Sequence, residues 1–272
     1  MKIVVYGLGI IGASVAASLK KAGHTVLGKN RSRESIDYAV EHAMIDGEAE
    51  GYEGADVIVL ALPPYVTAQL LSEGNFPDGC IVTDICGVKR MMEDAVYCVP
   101  RKWRYVGTHP MAGKETSGIR SASDTLFMGA NFVITRCGKT DPAALDAVRT
   151  LARDMGFSRI VECSAAEHDR MIALTSQLCH VAANAYVTTP LSAGCAGFTG
   201  GSFQDMTRVA PVDGKMWAEL FCCNADFLAE ETARLVARLR EFEQAVRSRD
   251  AERLIALMKE GKTCYEDFFR KN

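Results

Sequence analysis

The sequence predicts an α/β fold in which a doubly wound parallel sheet is followed by an all-helical segment. Up to about residue 163, short apolar runs alternate with segments of helical periodicity, which is typical of βαβ units. After Ser164 the apolar residues recur at helical spacing only, apart from a glycine-rich loop at residues 194–201. Because 272 residues are enough for two domains, we place the first at 1–163 and the second at 164–272.

The strands of the first domain are predicted from apolar runs that turn residues separate. The most continuous run, Ala-Asp-Val-Ile-Val-Leu-Ala-Leu at residues 55–62, is expected at the centre of a parallel sheet. The other predicted strands are 2–6, 25–27, 80–85, 105–108, 131–135 and 159–162. Helices are predicted at 11–22, 34–42, 89–96 and 142–155.

The second domain opens with a capping box, in which Glu167 follows Ser164 by three residues. Two long amphipathic helices are predicted at 220–246 and 251–269. The first has more apolar residues than one intrachain partner needs: Leu220, Phe221, Phe227, Leu228, Leu235, Leu239 and Phe242. We therefore expect a homodimer in which the helical domain supplies the interface.

The composition argues against nucleic acid and membrane partners. The net charge is −3 and the basic residues are scattered along the chain. The first 19 residues fit a strand, a turn and a helix better than a signal peptide, because three glycines interrupt the apolar run. The ten cysteines include no CxxC pair and no cluster with histidine at zinc spacing. We expect reduced thiols in a cytoplasmic protein without a metal site.

A dinucleotide-binding fingerprint of the form G-x-G-x-x-G lies between the first strand and the first helix. It consists of Gly7, Leu8, Gly9, Ile10, Ile11 and Gly12. The first glycine allows the tight turn, the second lets a pyrophosphate approach the backbone, and the third lets the helix pack on the strand. The N-terminus of the helix supplies N–H groups for the phosphates. We place Leu62, Pro63 and Gly87 in the same cofactor site.

The end of the second strand favours NADP over NAD. NAD sites carry an acidic residue there for the ribose 2′-hydroxyl, and this sequence has Asn30 in its place. Asn30 does not repel a 2′-phosphate, Ser32 can donate a hydrogen bond to it, and Arg31 or Arg33 can bind it. The alternative is an exposed basic turn without a phosphate.

His109, followed by Pro110, is the candidate catalytic residue. We expect Pro110 to end the strand, because proline lacks an N–H and fixes φ, and so to hold the histidine at the edge of the sheet. Open α/β sheets bind their ligands at the carboxyl ends of the strands. The unperturbed imidazole pKa of about 6.5 suits proton transfer near neutral pH. A His-Pro pair is otherwise usually just a turn.

Four motifs in this order resemble the prephenate/arogenate dehydrogenase family. They are Gly7-x-Gly9-x-x-Gly12, Asp84-x-x-x-Val88-Lys89, His109-Pro110-Met111-Ala112-Gly113-x-Glu115-x-x-Gly118 and Gly201-x-Phe203-x-Asp205-x-Thr207-Arg208. The resemblance extends over essentially the whole chain, to the short form without a mutase or regulatory domain. It implies an N-terminal Rossmann-type doubly wound sheet followed by an all-α dimerisation and substrate domain.

The resemblance also implies an activity: the oxidative decarboxylation of prephenate or arogenate, in which a hydride passes from C4 to the nicotinamide and CO₂ leaves C1. His109 matches the catalytic histidine, which must be neutral, so activity should fall on acidification. Arg208 matches the arginine that binds a substrate carboxylate.

The resemblance places His180 near the substrate and Glu115 at the mouth of the active site. Lys89 follows a predicted strand and is a further candidate for substrate binding, since it could polarise or orient the site. Each of these, like Arg208, has a structural alternative. Arg208 could pair with Asp205, His180 could be a satisfied core histidine, and Glu115 and Lys89 could be charges at helix starts.

The sequence departs from the family at Gly87, where many members have a serine that bonds the histidine or the substrate hydroxyl.

Two rival hypotheses about the function also remain. One is another NADP-linked two-domain reductase, of the β-hydroxyacid dehydrogenase or imine reductase type. The other is an NADP sensor without catalysis.

Overall fold

The computed structural model describes residues 1–113, 116 and 118–271, and these form two compact units, 1–225 and 226–272. The first unit is built on one eight-stranded sheet of order β3-β2-β1-β4-β5-β6-β7-β8. Neighbouring strands are parallel except β6 and β7, which are antiparallel. The strands are β1 Lys2–Tyr6, β2 Thr25–Lys29, β3 Gly47–Glu48, β4 Val57–Leu60, β5 Ile81–Asp84, β6 Arg104–Met111, β7 Asn131–Thr135 and β8 Arg159–Cys163. The predicted fold class is confirmed.

Helices cover both faces of this sheet. They are α1 Ile10–Lys21, α2 Arg33–Glu41, α3 Pro64–Glu73, α4 Arg90–Tyr97 and α5 Pro142–Asp154. Successive residues of β1 point to opposite faces, so Ile3 and Val5 pack in the core with α1 and α5, while Val4 packs in the core with α3 and α4. All four residues of β4 are buried, as its central position between β1 and β5 requires.

The remaining helices of the first unit follow β8 directly. They are α6 Ala165–Ile172, α7 Leu178–Val187, α8 Gly201–Thr207 and α9 Gly214–Cys223, and one π-helical turn, Ala173–Gln177, joins α6 to α7. Ser164 caps α6 by accepting a hydrogen bond from the Glu167 N–H, as the sequence predicts. α6 packs against α4 and β7, which brings this helical segment to the carboxyl end of the sheet.

The strand that carries His109 does not end at Pro110, contrary to the sequence-based prediction. β6 continues to Met111, with Pro110 opposite Phe132 of β7. The pairing of β6 with β5 ends at Gly107, so the last part of β6 has β7 as a neighbour on one side only. Proline is tolerated there because an edge position can leave its missing N–H without a partner.

The predicted helix 220–246 is likewise two helices, because Asn224 interrupts it between α9 and α10 (Ala225–Arg247). Asn224 is wholly buried and leaves helical geometry, with φ −131° and ψ 29°. Its Nδ2 donates to the carbonyl of Asp169 and to Oε1 of Gln177, both at 2.8 Å. These side-chain bonds compete with continuation of the helix.

The second unit contains almost all of α10 together with α11, Ala251–Lys271. Arg238 of α10 pairs with Glu260 of α11, and Arg253 of α11 pairs with Glu241 of α10. Several large apolar side chains are exposed on the two helices: Leu239, Val246, Ile255, Met258, Tyr265, Phe268 and Phe269. Among the described residues, none of the helices combines the length and apolarity needed to cross a bilayer.

We expect Asn224→Ala to lower the free energy of unfolding by about 1–3 kcal/mol, because it removes both buried hydrogen bonds of Asn224 Nδ2 and leaves Oε1 of Gln177 without this donor. Denaturant unfolding followed by circular dichroism measures the change. Asn75→Ala, at an exposed position, is the control and should stay within about 0.5 kcal/mol of the wild type. Equal stability of the two variants would contradict the structural role of Asn224.

Candidate active site

The glycine-rich turn has a shape that only glycine permits at two of its positions. Gly7 has φ +101°, and a Cβ there would lie 2.1 Å from the Ala61 carbonyl oxygen. A Cβ at Gly12 would lie 1.9 Å from the Gly7 carbonyl oxygen. A Cβ at Gly9, by contrast, would point into open space in front of α1, whose N-terminus has no side-chain cap. A pyrophosphate fits this space, with Ile10, Ile11 and Gly12 supplying backbone N–H groups.

Asn30 connects the end of β2 to this turn. Its Oδ1 accepts a hydrogen bond of 3.1 Å from the Leu8 N–H, and its Nδ2 donates to the Ser32 carbonyl at 3.4 Å. The Ser32 hydroxyl caps α2 by accepting from the Ser35 N–H. Asn30 and Ser32 therefore have structural tasks in addition to any contact with a ribose.

The two arginines next to Asn30 differ in their surroundings. Arg33 pairs with Asp37 at 2.8 Å and with Glu48 at 2.6 Å. Arg31 is exposed, and within the part of the chain that the structure describes no ion pair engages it. Arg31 is thus the guanidinium that can bind a phosphate without first losing a carboxylate partner.

Leu62 and Pro63 follow β4 at the same edge of the sheet. The carbonyl of Leu62 accepts hydrogen bonds from Thr67 Oγ1 at 3.1 Å and from the Cys86 thiol at 3.5 Å. Because the carboxyl ends of β1, β4 and β5 lie side by side, these residues and Gly87 share one edge with the glycine-rich turn. The cofactor residues predicted from the sequence are therefore brought together there.

His109 lies near the end of β6 and is partly exposed. Its Nδ1 is 2.9 Å from Nε2 of His168, and Nδ1 of His168 is 2.8 Å from Oδ1 of Asp169. His168 and Asp169 belong to α6 and are buried. The three side chains form a line, which we call the triad, from the helical segment to the edge of the sheet.

Asp169 also binds the N-terminus of α4. Its Oδ1 accepts from the Lys89 N–H at 2.7 Å, and its Oδ2 accepts from the Arg90 N–H at 2.9 Å. Burial by itself raises the pKa of the Asp169 carboxyl, but the His168 hydrogen bond and these backbone donors bring that pKa below its usual value. Asp169 is therefore an ionised acceptor at neutral pH.

Both histidines of the triad are held neutral. The burial of most of the His109 ring is the main cause that keeps its pKa well below the ordinary value of 6.5. The charge of Lys89, and the charge that His168 would carry if it were protonated, act in the same direction. Burial also lowers the pKa of His168, although its hydrogen bond to Asp169 acts in the opposite direction. A neutral imidazole at the sheet edge can accept a proton.

His180 is held beside Arg208. Its Nδ1 donates to the carbonyl of Val209 at 2.8 Å, and its ring packs on Trp217 with the centroids 3.7 Å apart. Trp217 lies in α9, one turn before Leu220, and Leu220 packs beside Gly87. The helix α9 therefore extends from the neighbourhood of His109 towards His180 and Arg208, and Arg208 itself is exposed at the end of α8. Glu115 lies outside the described residues.

Comparison with known proteins identifies the family of the chain. The family described as prephenate dehydrogenase, nucleotide-binding domain, matches residues 15–161, and that described as prephenate dehydrogenase, dimerization domain, matches residues 164–260. The chain belongs to the prephenate dehydrogenase family.

Three relatives illustrate the similarity. The chain is 29% identical to prephenate dehydrogenase of Bacillus subtilis, over 96% of this chain and 74% of the relative. It is 27% identical to cyclohexadienyl dehydrogenase of Zymomonas mobilis, over 95% and 92%. The crystal structure of prephenate dehydrogenase from Aquifex aeolicus with hydroxyphenyl propionate and NAD⁺ is 25% identical, with a TM-score of 0.85 over 98% of each chain.

For a member of the prephenate dehydrogenase family, Gly87 leaves room beside the histidine. A Cβ at this position would lie 3.9 Å from Nε2 and 3.8 Å from Cε1 of His109, and 3.4 Å from Leu220 Cδ2. These are ordinary contact distances, so packing does not require glycine here. The Nε2 edge of His109 thus faces the place where the sequence lacks the family serine.

Lys89, which the sequence analysis placed near the substrate, occupies a different environment. Its side chain is wholly buried, and its Nζ pairs with Oδ1 of Asp84. Tyr105 donates to Oδ2 of the same carboxylate at 2.6 Å. A Cβ at Gly107 would lie 3.4 Å from the Lys89 side chain and 2.9 Å from the Tyr105 hydroxyl, so glycine makes space for this cluster. In this structure the Lys89 side chain lies in the interior beside Asp84 and does not reach solvent, and its backbone N–H binds Asp169 of the triad.

Sequence reasoning missed His168 and Asp169. A signal was present, because Ala165, His168, Asp169 and Ile172 recur at the spacing of one buried helix face. A histidine and an aspartate at two such positions indicate a buried polar pair, which needs partners from elsewhere in the fold. The partner, Nδ1 of His109, comes from a strand 59 residues away, which the local pattern does not show.

We expect Lys89→Met to lower the free energy of unfolding by about 3–5 kcal/mol, because it leaves the Asp84 carboxylate buried without its cation. The double variant Asp84→Asn with Lys89→Met should recover most of this loss. The exposed pair of Lys102 with Asp78 offers a matched control, and Lys102→Met should cost less than about 1 kcal/mol. Urea unfolding of the wild type and of the three variants measures these changes. A loss in Lys89→Met as small as that in Lys102→Met would contradict a buried ion pair of Lys89 with Asp84.

Proposed function

We propose that this protein catalyses the oxidative decarboxylation of prephenate to 4-hydroxyphenylpyruvate, or of arogenate to tyrosine, with hydride transfer to NADP, in tyrosine biosynthesis. The observation that carries the proposal is the placement of His109, whose Nε2 edge faces Gly87 at the same edge of the sheet as the glycine-rich turn. The lowered pKa of His109 supports a neutral ring there. Membership of the prephenate dehydrogenase family supports this reaction over the rival reductase and sensor hypotheses.

In the proposed reaction the nicotinamide, when bound, accepts the hydride from C4 of the cyclohexadienol. The C4 hydroxyl donates its hydrogen bond to Nε2 of His109, which accepts the proton as the carbinol becomes a carbonyl. Loss of CO₂ from C1 leaves its bonding electron pair in the ring, which becomes aromatic. The C4 oxygen then regains a proton from His109, so the product is a phenol and the histidine is neutral again.

The substrate carboxylates need cationic or donor partners on the opposite side of the site. We assign Arg208 to one carboxylate, because a guanidinium binds it with two parallel hydrogen bonds. His180 would act beside it, since its hydrogen bond to Val209 fixes the residue that follows Arg208. Glu115, an acidic residue, is assigned to the mouth of the active site and not to a substrate carboxylate.

The cofactor and the assembly are parts of the same proposal. The Aquifex aeolicus relative was crystallised with NAD⁺; for this chain we propose NADP, because Asn30 replaces the acidic residue and Arg31 is exposed beside it. We propose that residues 164–272 form a homodimer interface, which the family description of 164–260 and the exposed apolar side chains of α10 and α11 support. The domain boundary at 163 and a cytoplasmic location belong to this proposal.

The test is the initial rate of NADPH formation by the purified chain with prephenate and NADP⁺, compared with arogenate and with NAD⁺. We expect turnover whose kcat/KM stays level as the pH falls through the ordinary histidine range, because the lowered pKa keeps His109 neutral there. The rate should fall only at more acidic pH. His109→Asn should lose roughly 10²- to 10⁴-fold in kcat.

His42→Asn, which alters an exposed histidine stacked on Tyr38, is the control and should retain the wild-type rate. Absence of turnover with every pairing of substrate and cofactor would refute the proposed function. Wild-type activity in His109→Asn would refute the role of this residue.

We expect Arg31→Ala to raise the KM for NADP⁺ by roughly ten- to a hundredfold, the value of a charge-assisted hydrogen bond, with little change for NAD⁺. Arg33→Ala should have a smaller effect, since Arg33 is engaged by Asp37 and Glu48. Steady-state kinetics with both cofactors provides the comparison. A parallel change for NADP⁺ and NAD⁺ in Arg31→Ala would argue against a 2′-phosphate contact.

A further inference from the structure

We infer that His168 and Asp169 are positioning residues that fix the tautomer of His109, so that its Nε2 is the nitrogen that accepts the proton. The kinetic part of this inference rests on the proposed function, whereas the tautomer itself can be measured without substrate.

Asp169 can only accept hydrogen bonds in this structure. Its Oδ1 faces the Lys89 N–H, and its Oδ2 faces the Arg90 N–H at 2.9 Å and Nε of Arg90 at 3.4 Å. A protonated carboxyl would put a hydrogen against one of these donors. The carboxylate is therefore ionised, and Nδ1 of His168, 2.8 Å from Oδ1, must carry the proton between them.

This proton determines the other nitrogen of His168. A neutral imidazole has one N–H and one lone pair, so Nε2 of His168 is an acceptor when Nδ1 is a donor. The burial that lowers the pKa of His168 keeps the ring neutral. Nδ1 of His109, 2.9 Å away, must then donate its hydrogen to His168.

The same reasoning applied to His109 places its lone pair on Nε2. This nitrogen faces the Cβ position of Gly87, at the carboxyl edge of β5, and not the interior of the helical segment. His109 thus presents a base on the side where a substrate hydroxyl can approach. A ring with the opposite tautomer would present an N–H there and could not accept the proton.

The helical segment therefore supplies a condition for catalysis without contacting the reacting atoms. His168 and Asp169 are fixed by α6, which packs against α4 and β7, and both are almost fully buried. The backbone donors at the start of α4 hold the carboxylate, and the carboxylate holds the histidine. The orientation of His109 thus depends on its contact with His168 and on the contact of His168 with Asp169.

The direct test is ¹⁵N NMR of the wild-type chain with labelled histidine, between pH 7 and 8 and without ligands. The chain has five histidines, and the spectra of His109→Asn and His168→Gln assign the two that matter. We expect a protonated Nδ1 and an unprotonated Nε2 for both. A protonated Nε2 on neutral His109 would overturn the inference, whatever the variants do.

The kinetic test compares two substitutions of His168. Glutamine can accept from His109 through Oε1 and donate to Asp169 through Nε2, so His168→Gln should keep kcat within about tenfold of the wild type. His168→Leu offers no acceptor, and kcat should fall by roughly 10²- to 10⁴-fold while the KM values change little. Its spectrum should show His109 with Nε2 protonated or with both tautomers present.

His24 provides the matched control, because its Nε2 also contacts an aspartate, Asp154, at 3.0 Å, and this pair lies outside the site. His24→Leu should retain the wild-type kcat. Equal losses in His168→Gln and His168→Leu, with an unchanged His109 spectrum, would show a purely structural role and overturn the inference. If the wild type shows the expected tautomer but turns over no substrate, the proposed function fails and the tautomer assignment stands.

Discussion

The hydrogen bonding of the Asp169 carboxylate is the interaction on which the site depends. It accepts from the backbone and side chain at the start of α4 and from its neighbour His168, and so connects α6 to residues about 80 positions earlier in the chain. A buried carboxylate is stable only when such donors replace the water that it has lost. Once Asp169 is fixed, the ring of His168 is fixed, and with it the ring of His109. The geometry of the sheet edge is therefore set from the helical side.

The buried ion pair of Lys89 with Asp84 affects the histidines of the triad electrostatically. The side chains of Lys89 and Asp84 have no solvent-accessible surface. Tyr105, which lies in β6, donates a hydrogen bond to the Asp84 carboxylate. The positive charge of Lys89 acts in the same direction as burial on the pKa of both histidines. The backbone of Lys89 holds Asp169 while its side chain holds Asp84. One residue thus couples the two buried carboxylates.

The predictability of these features depends on the distance along the chain over which each is determined. The glycine-rich turn and the cap at Ser164 are local, and the sequence predicts both. The continuation of β6 through Pro110 and the helix break at Asn224 depend on neighbouring strands and on buried acceptors, and local propensity missed both. The environment of Lys89 and the triad arise from contacts between distant elements. Periodicity marks such positions as buried but does not name their partners.

Gly87 leaves the Nε2 side of His109 without a side chain that could orient the ring. A serine side chain at this position would start on the Nε2 side of the ring, because a Cβ there would lie 3.9 Å from Nε2 of His109. In this chain that side has only a glycine, although a Cβ would fit there. The orientation of His109 must then come from its Nδ1 side, through His168. The hydrogen bond between Nδ1 of His109 and His168 leaves the Nε2 lone pair free for the proposed substrate hydroxyl. A serine that donated to Nε2 would compete for the same lone pair. The absence of the serine is therefore compatible with the proposed role of His109, because the opposite edge of the ring is held by His168.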